Sequence, residues 1–168
     1  MPFPRSCLDL IFIPLDKDFV PSFDDEKKFI EHAEKQRWIN QYSAGIQAHQ
    51  FLDGGFHSFR IERYEYPMLF ANHQGGYQVR CPLCDRHIAQ SFSKAISIYR
   101  NDRTRFELTC IHCSSKHALD TLFFRPEAGF ARFAVVVQQV GSIDISTNGH
   151  SAVSLLIPNF KTIMKRVG

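Results

Sequence analysis

Residues 7–15 form a nearly unbroken apolar run, the pattern of a strand buried on both faces. Polar residues follow, and then Pro21-Ser22-Phe23-Asp24-Asp25 reads as a helix start, with Ser22 as the cap and Asp25 three residues on. Phe29, Ile30, Ala33 and Trp38 recur at helical spacing, so the helix is expected to run to about Ile39. Its first turn is acidic and its end basic, as the helix dipole favours. Residues 41–55 show no period, contain three glycines and read as a loop. Residues 58–64 alternate at period two, predicting a strand with one wet face that ends near Pro67. Asn72-His73-Gln74-Gly75-Gly76 is turn chemistry leading into residues 77–80.

The second half repeats the alternation of element types. Ile88, Phe92, Ala95, Ile96 and Tyr99 predict a short helix, and residues 106–109 a strand. Residues 130–140 are apolar and β-branched, which predicts a central strand, with a helix as the alternative. Residues 149–156 suit a helix stopped by Pro158, and residues 161–167 alternate as a closing strand. The predicted order is strand, helix, strand, insertion, strand, helix, strand. This is the split βαβ plan of an α+β, ferredoxin-like βαβ-βαβ sandwich, whose first and third strands are central. Residues 1–65 and 126–168 would form the core, and residues 66–125 an inserted zinc ribbon between the second and third core strands. With helices on one side only, the other sheet face needs loops, a second copy of the chain or a partner to cover it.

The insertion carries the chemistry. Cys81-Pro82-Leu83-Cys84 and Cys110-Ile111-His112-Cys113 are two tight turns 25 residues apart. Two such turns place four sulfurs around one Zn²⁺, which predicts a single structural zinc held by Cys81, Cys84, Cys110 and Cys113. Disulfides or free thiols are the alternative, as is a redox dithiol in the first pair. A zinc deaminase would use His32-Ala33-Glu34, but neither pair has Pro before its first cysteine, and four thiolates leave no position for water. His87, His112 and His117 lie close enough in sequence to replace a sulfur. Cys7, the fifth cysteine, reads as a small buried hydrophobe.

Composition narrows the class. The 168 residues, 44% hydrophobic with 16 Phe, suit one globular domain with a small satellite and exclude a disordered or collagen-like chain. No apolar run approaches the roughly 18 residues that cross a bilayer, so no membrane partner is expected. The first apolar run is too short for an export signal, which makes the cytoplasm the expected compartment. The net charge of +3 is uneven: residues 80–116 hold seven Lys or Arg against three acids. Four thiolates with Zn²⁺ add −2, which leaves the metallated ribbon near +2. Arg86, Lys94, Arg100, Arg103 and Arg105 are the candidate contacts for nucleic acid or a partner.

Several segments carry a resemblance. Residues 14–21 (Pro-Leu-Asp-Lys-Asp-Phe-Val-Pro), residues 75–84 with the first cysteine turn, residues 109–113 and Ala128-Gly129-Phe130-Ala131-Arg132-Phe133-Ala134 are similar to a family of small, uncharacterised bacterial single-domain zinc-ribbon proteins. The resemblance implies a cytoplasmic bacterial protein and supplies no reaction. Related turns often carry Gly after the second cysteine, where this chain has Asp85 and Ser114.

Catalytic motifs are absent: the chain has no Gly-rich phosphate loop, no Gly-x-Ser-x-Gly and no His-Glu-x-x-His. The expected function is therefore that of a non-catalytic, zinc-stabilised protein that binds another protein, such as an immunity or inhibitor protein, with a homodimer as a further form. Nucleic-acid binding through the basic ribbon is the alternative, and a zinc or thiol enzyme the third reading.

Overall fold

A computed structural model describes residues 8–168; Cys7 and the expectation attached to it lie outside the described residues. The elements follow in the order β1 (Leu8–Pro14), α1 (Phe23–Lys35), β2 (Ile39–Asn40), β3 (Ser43–Ala44), β4 (Ser58–Phe70), β5 (Gln78–Arg80), α2 (Ala89–Asn101), β6 (Glu107–Thr109), β7 (Lys116–Ala118), β8 (Phe123–Arg125), β9 (Gly129–Gln138), α3 (Thr147–Leu156) and β10 (Phe160–Arg166). The architecture is mixed α and β, with three α-helices and antiparallel sheets among the described residues. No helix among them is long and apolar enough to cross a membrane.

The main sheet has the order β10-β1-β9-β4-β3-β2. The two most apolar strands, β1 and β9, are neighbours at its centre, because only a strand flanked on both edges and both faces can bury an unbroken apolar run. Alternate residues then face opposite ways. Leu10, Phe12, Phe133, Val135 and Val137 pack beneath α1 and α3, against Phe29, Ala33, Ala152 and Val153. Both helices start as their caps dictate: Ser22 Oγ accepts from the Asp25 amide at 3.0 Å, and Ser146 Oγ from the Gly149 amide at 2.9 Å. The first helix ends earlier than its apolar spacing suggests. Arg37 adopts φ 58°, the chain turns, and Trp38 is buried just beyond the last turn.

Among the described residues no helix lies on the opposite face, yet Ile11, Ile13, Ala134, Val136 and Ile163 are buried on it. Part of the cover comes from the end of β4, where Met68 and Phe70 join that cluster. The chain then leaves β4 and crosses to β10, where Asn72 Oδ1 accepts from the Arg166 amide at 2.7 Å. Residues 71–74 therefore form a strap across the sheet.

Two expectations need correcting. Residues 41–55 are not all loop: β2 and β3 form a short hairpin that adds to the sheet edge at Ser43 and Ser58, followed by a 3₁₀ turn at Ala48–Gln50. Nor does the strand that begins at residue 58 stop near Pro67. It runs to Phe70, and its pairing with β9 shifts between Arg63 and Met68, the stretch containing Pro67, which has no N–H for the ladder. The expected junction at 65/66 therefore falls inside β4.

The segment between β4 and β9 has its own apolar cluster. Val79, Ile88, Phe92, Ile96, Tyr99 and Leu108 pack together, and the cluster reaches the main sheet through Phe130. The Tyr99 hydroxyl donates to the Pro67 carbonyl at 2.8 Å, which satisfies a buried phenol at the junction. β5 pairs with β8 and β6 with β7, so each cysteine turn follows a strand of a two-stranded ribbon.

Candidate metal centre

The two cysteine turns are copies of one local design. In the first, the Asp85 amide donates to the Cys81 carbonyl at 2.9 Å and the Cys81 amide to the Arg86 carbonyl at 3.0 Å. In the second, the Ser114 amide donates to the Cys110 carbonyl at 2.9 Å and the Cys110 amide to the Ser115 carbonyl at 2.8 Å. The residue after each second cysteine is left-handed, Asp85 at φ 57° and Ser114 at φ 60°. That conformation folds the chain back over the turn, and within the second turn the His112 amide lies 3.4 Å from Cys110 Sγ.

The turns meet face to face, and the four Sγ atoms lie within 4.8 Å of one another. Cys81 and Cys113 sulfurs are 3.8 Å apart, Cys84 and Cys110 sulfurs 3.7 Å. A tetrahedral ion with metal–sulfur bonds of about 2.3 Å separates its ligands by about 3.8 Å. A disulfide would bring two sulfurs to about 2.05 Å. All four thiols are free, and their spacing is that of a shell able to hold one metal ion.

The surroundings favour thiolate at Cys81 and Cys113. Burial pushes the Cys81 thiol up, but the Cys84 and Leu83 amides and the Ser115 hydroxyl outweigh it and bring the group down to about 5. The Ser115 hydroxyl and amide lower Cys113 as well. Cys84 goes the other way, to about 11: the Arg86 amide favours its thiolate, while burial and the neighbouring Cys110, Cys81 and Cys113 sulfurs oppose it more strongly. Four adjacent sulfurs cannot all ionise alone, and a dication is what removes their mutual repulsion.

Ser115 and His117 complete the surroundings. Strand alternation turns both toward the sulfurs, while Lys116 between them is exposed. Ser115 Oγ lies 2.8 Å from Cys113 Sγ and 2.7 Å from His117 Nε2, and that Nε2 is 3.4 Å from Cys81 Sγ. His117 is thus a hydrogen-bonding neighbour of the sulfurs, outside the four-atom cluster. His112 instead reaches the His87 carbonyl at 3.3 Å, and His87 meets the Arg80 guanidinium at 3.1 Å. His32, on the exposed side of α1, meets the Trp38 ring edge-on. Ser115 was not legible as a participant, because a lone serine after a cysteine turn carries no spacing signal.

No protein-family model, curated protein or solved structure matches the chain. The site therefore stands on its own geometry.

The five candidate contact residues are placed less coherently than the sulfurs. Arg86 and Arg105 are exposed in loops flanking α2, and Lys94 and Arg100 are exposed on that helix. Six residues apart, Lys94 and Arg100 point about 120° away from each other around the axis. The Arg103 guanidinium lies over Tyr99 at 4.8 Å and Tyr66 at 5.5 Å from the ring centres, packed on aromatics. The tips of the turns are apolar instead: Leu83 is 71% exposed and Ile111 72%.

Proposed function

We propose that the protein is a non-catalytic, zinc-stabilised interaction protein: a ferredoxin-like core with a zinc ribbon inserted between its second and third core strands. The strand order β10-β1-β9-β4, with α1 and α3 on one face, supports the core assignment. Zn²⁺ is the ion of choice for four thiolates in tetrahedral array, with iron the competitor. The carrying observation is the pairing of a saturated sulfur shell with exposed apolar residues at its tips. A four-sulfur shell leaves no site for water or substrate, which makes the metal a scaffold, and Leu83 and Ile111 are what that scaffold presents. The partner is another protein, with the role of an immunity or inhibitor protein in the cytoplasm, and the family of small bacterial zinc-ribbon proteins is its setting. Nucleic-acid binding draws less support, because the basic side chains diverge and Arg103 is packed on tyrosines.

The test is purification from the native cell, metal analysis and identification of what stays bound. One zinc per chain, no visible iron–thiolate absorption, and a bound protein lost in the Leu83→Ser/Ile111→Ser variant that keeps its zinc are the expected results. Nucleic acid released between about 50 and 200 mM salt, or capture indifferent to both tip residues, overturns the reading.

A further inference from the structure

The helix-free face of the sheet is only partly closed by the strap. Between the strap and β4 lies a cleft of about 210 Å³, away from the cysteines. Its floor is Ile11 and Val136, which pair directly across β1 and β9, and Arg60 stands opposite Val136 on the next strand. Directly opposed residues share a face, so these three form one row across the sheet. Met68, Phe70 and Tyr64 wall the cleft, and Lys165 and His73 also line it.

The charges are unequally satisfied. Arg60 Nε donates to Glu62 Oε1 at 2.6 Å, and the Tyr64 hydroxyl donates to Glu62 Oε2 at 2.9 Å, so the one acid lining the cleft among the described residues is consumed within it. Lys165 is half-buried, and its ammonium has neither an ion pair nor a hydrogen bond among the described residues. Its cross-strand neighbour Asp9 is buried and turned to the backbone, where its Oδ1 accepts from the Gln139 amide at 2.9 Å. Burial, with Lys165 and then Arg100 nearby, lowers His73 and so disfavours its charged form. Among the residues lining the cleft, Arg60 and Lys165 stand against Glu62 over an apolar floor, and the buried Asp9 carboxylate beside Lys165 offsets charge without giving its ammonium a hydrogen bond. The space is on the scale of a compact ring or short chain.

We propose that this cleft binds a small organic monoanion, a carboxylate held at Lys165 with its apolar body on Ile11, Val136 and Phe70. An ammonium at the rim of an apolar cleft is only partly solvated, and an incoming carboxylate supplies the charge-assisted hydrogen bond that the protein itself withholds. Arg60 is already balanced by Glu62, so a second negative charge on the ligand gains little.

The probe is benzoate, titrated into the zinc-loaded full chain while backbone amide resonances are followed, with benzamide as a neutral probe of the same size. Benzoate shifts the amides of Ile11, Val136, Phe70 and Ala71, and benzamide binds about tenfold or more weakly, the loss expected when a charged hydrogen bond is removed. Lys165→Met abolishes the preference for benzoate and Lys165→Arg keeps it; Lys165 lies near the end of an edge strand, and the spectra report directly whether the fold persists. Benzoate at about 20 mM leaving those amides unmoved, equal binding of the two probes, or a preference surviving Lys165→Met overturns the proposal. The benzoate–benzamide comparison decides the matter on the unmutated protein even if a variant fails to fold.

Discussion

Replacing Ser114 with glycine is expected to tighten metal binding. Ser114 holds φ 60° with an exposed side chain whose hydroxyl has no hydrogen-bond partner among the described residues, so the substitution removes strain without removing a contact. A left-handed backbone costs a non-glycine residue about 1–2 kcal/mol, and the greater freedom of glycine in the unfolded chain returns about 0.5–1 kcal/mol of that gain. The central values leave a net stabilisation of about 0.75 kcal/mol. Because the sulfurs converge only when both turns are folded, this energy appears as metal affinity, about three- to fourfold tighter. Asp85→Gly is the internal control. Asp tolerates the left-handed region better, and its carboxylate meets Arg80 at 3.2 Å, so that substitution should change affinity little or weaken it. Competition with a chromophoric zinc chelator at fixed pH measures both variants. If Ser114→Gly binds zinc no more tightly than the parent while Asp85→Gly does, the argument from turn strain is wrong.

Three further outcomes are expected. Cys84→Ser should expose the amides of α2 and β5 to hydrogen exchange well before those of β1 and β9, and uniform loss of protection would deny the insertion its separate cluster. Glu26→Gln should cost about 2 kcal/mol in urea unfolding, since Glu26 Oε2 accepts from Arg63 Nε at 2.7 Å while the guanidinium lies over the Phe23 ring; an unchanged midpoint would show the pair to be idle. His73 has its folded value below the ordinary 6.5, through burial first and then Lys165 and Arg100, so the fold favours the neutral ring. Its contribution is present above pH 6.5 and is lost as pH falls through the folded value; the difference in stability between parent and His73→Gln should narrow below about pH 6.5, and a difference constant from pH 7.5 to 5 would contradict it.

Legibility along the chain followed the length of the signal. β1 and β9 announce themselves by long apolar runs, and Ser22 with Asp25 fixes a helix start within four residues. The cysteine turns are readable because zinc chemistry demands that spacing, and the structure brings all four sulfurs together. The β2–β3 hairpin was invisible: two residues per strand carry no period, and its turn uses Gln41 at φ 57° where glycine would have been the cue. Pro67 reads as a strand end, yet β4 passes through it by shifting register against β9. Asn72 reads as turn chemistry, and only the fold shows that its side chain ties the strap to Arg166. Lys165 and Arg60 were likewise unremarkable charges until register put them around one cleft.

The central pairing of the sheet has a consequence for how the protein is made. Leu10 finds its partner Val137 only after 127 further residues have been synthesised, and β4 also waits for β9. At about 5–20 residues per second, β1 spends on the order of ten seconds outside the ribosome as an unpaired apolar segment. The four sulfurs, by contrast, are all available once Cys113 emerges, before Gly129 begins β9. During translation the segment between β4 and β9 is therefore complete and able to close around a metal ion first, and β1, β4 and β9 are then joined around a part that is already finished.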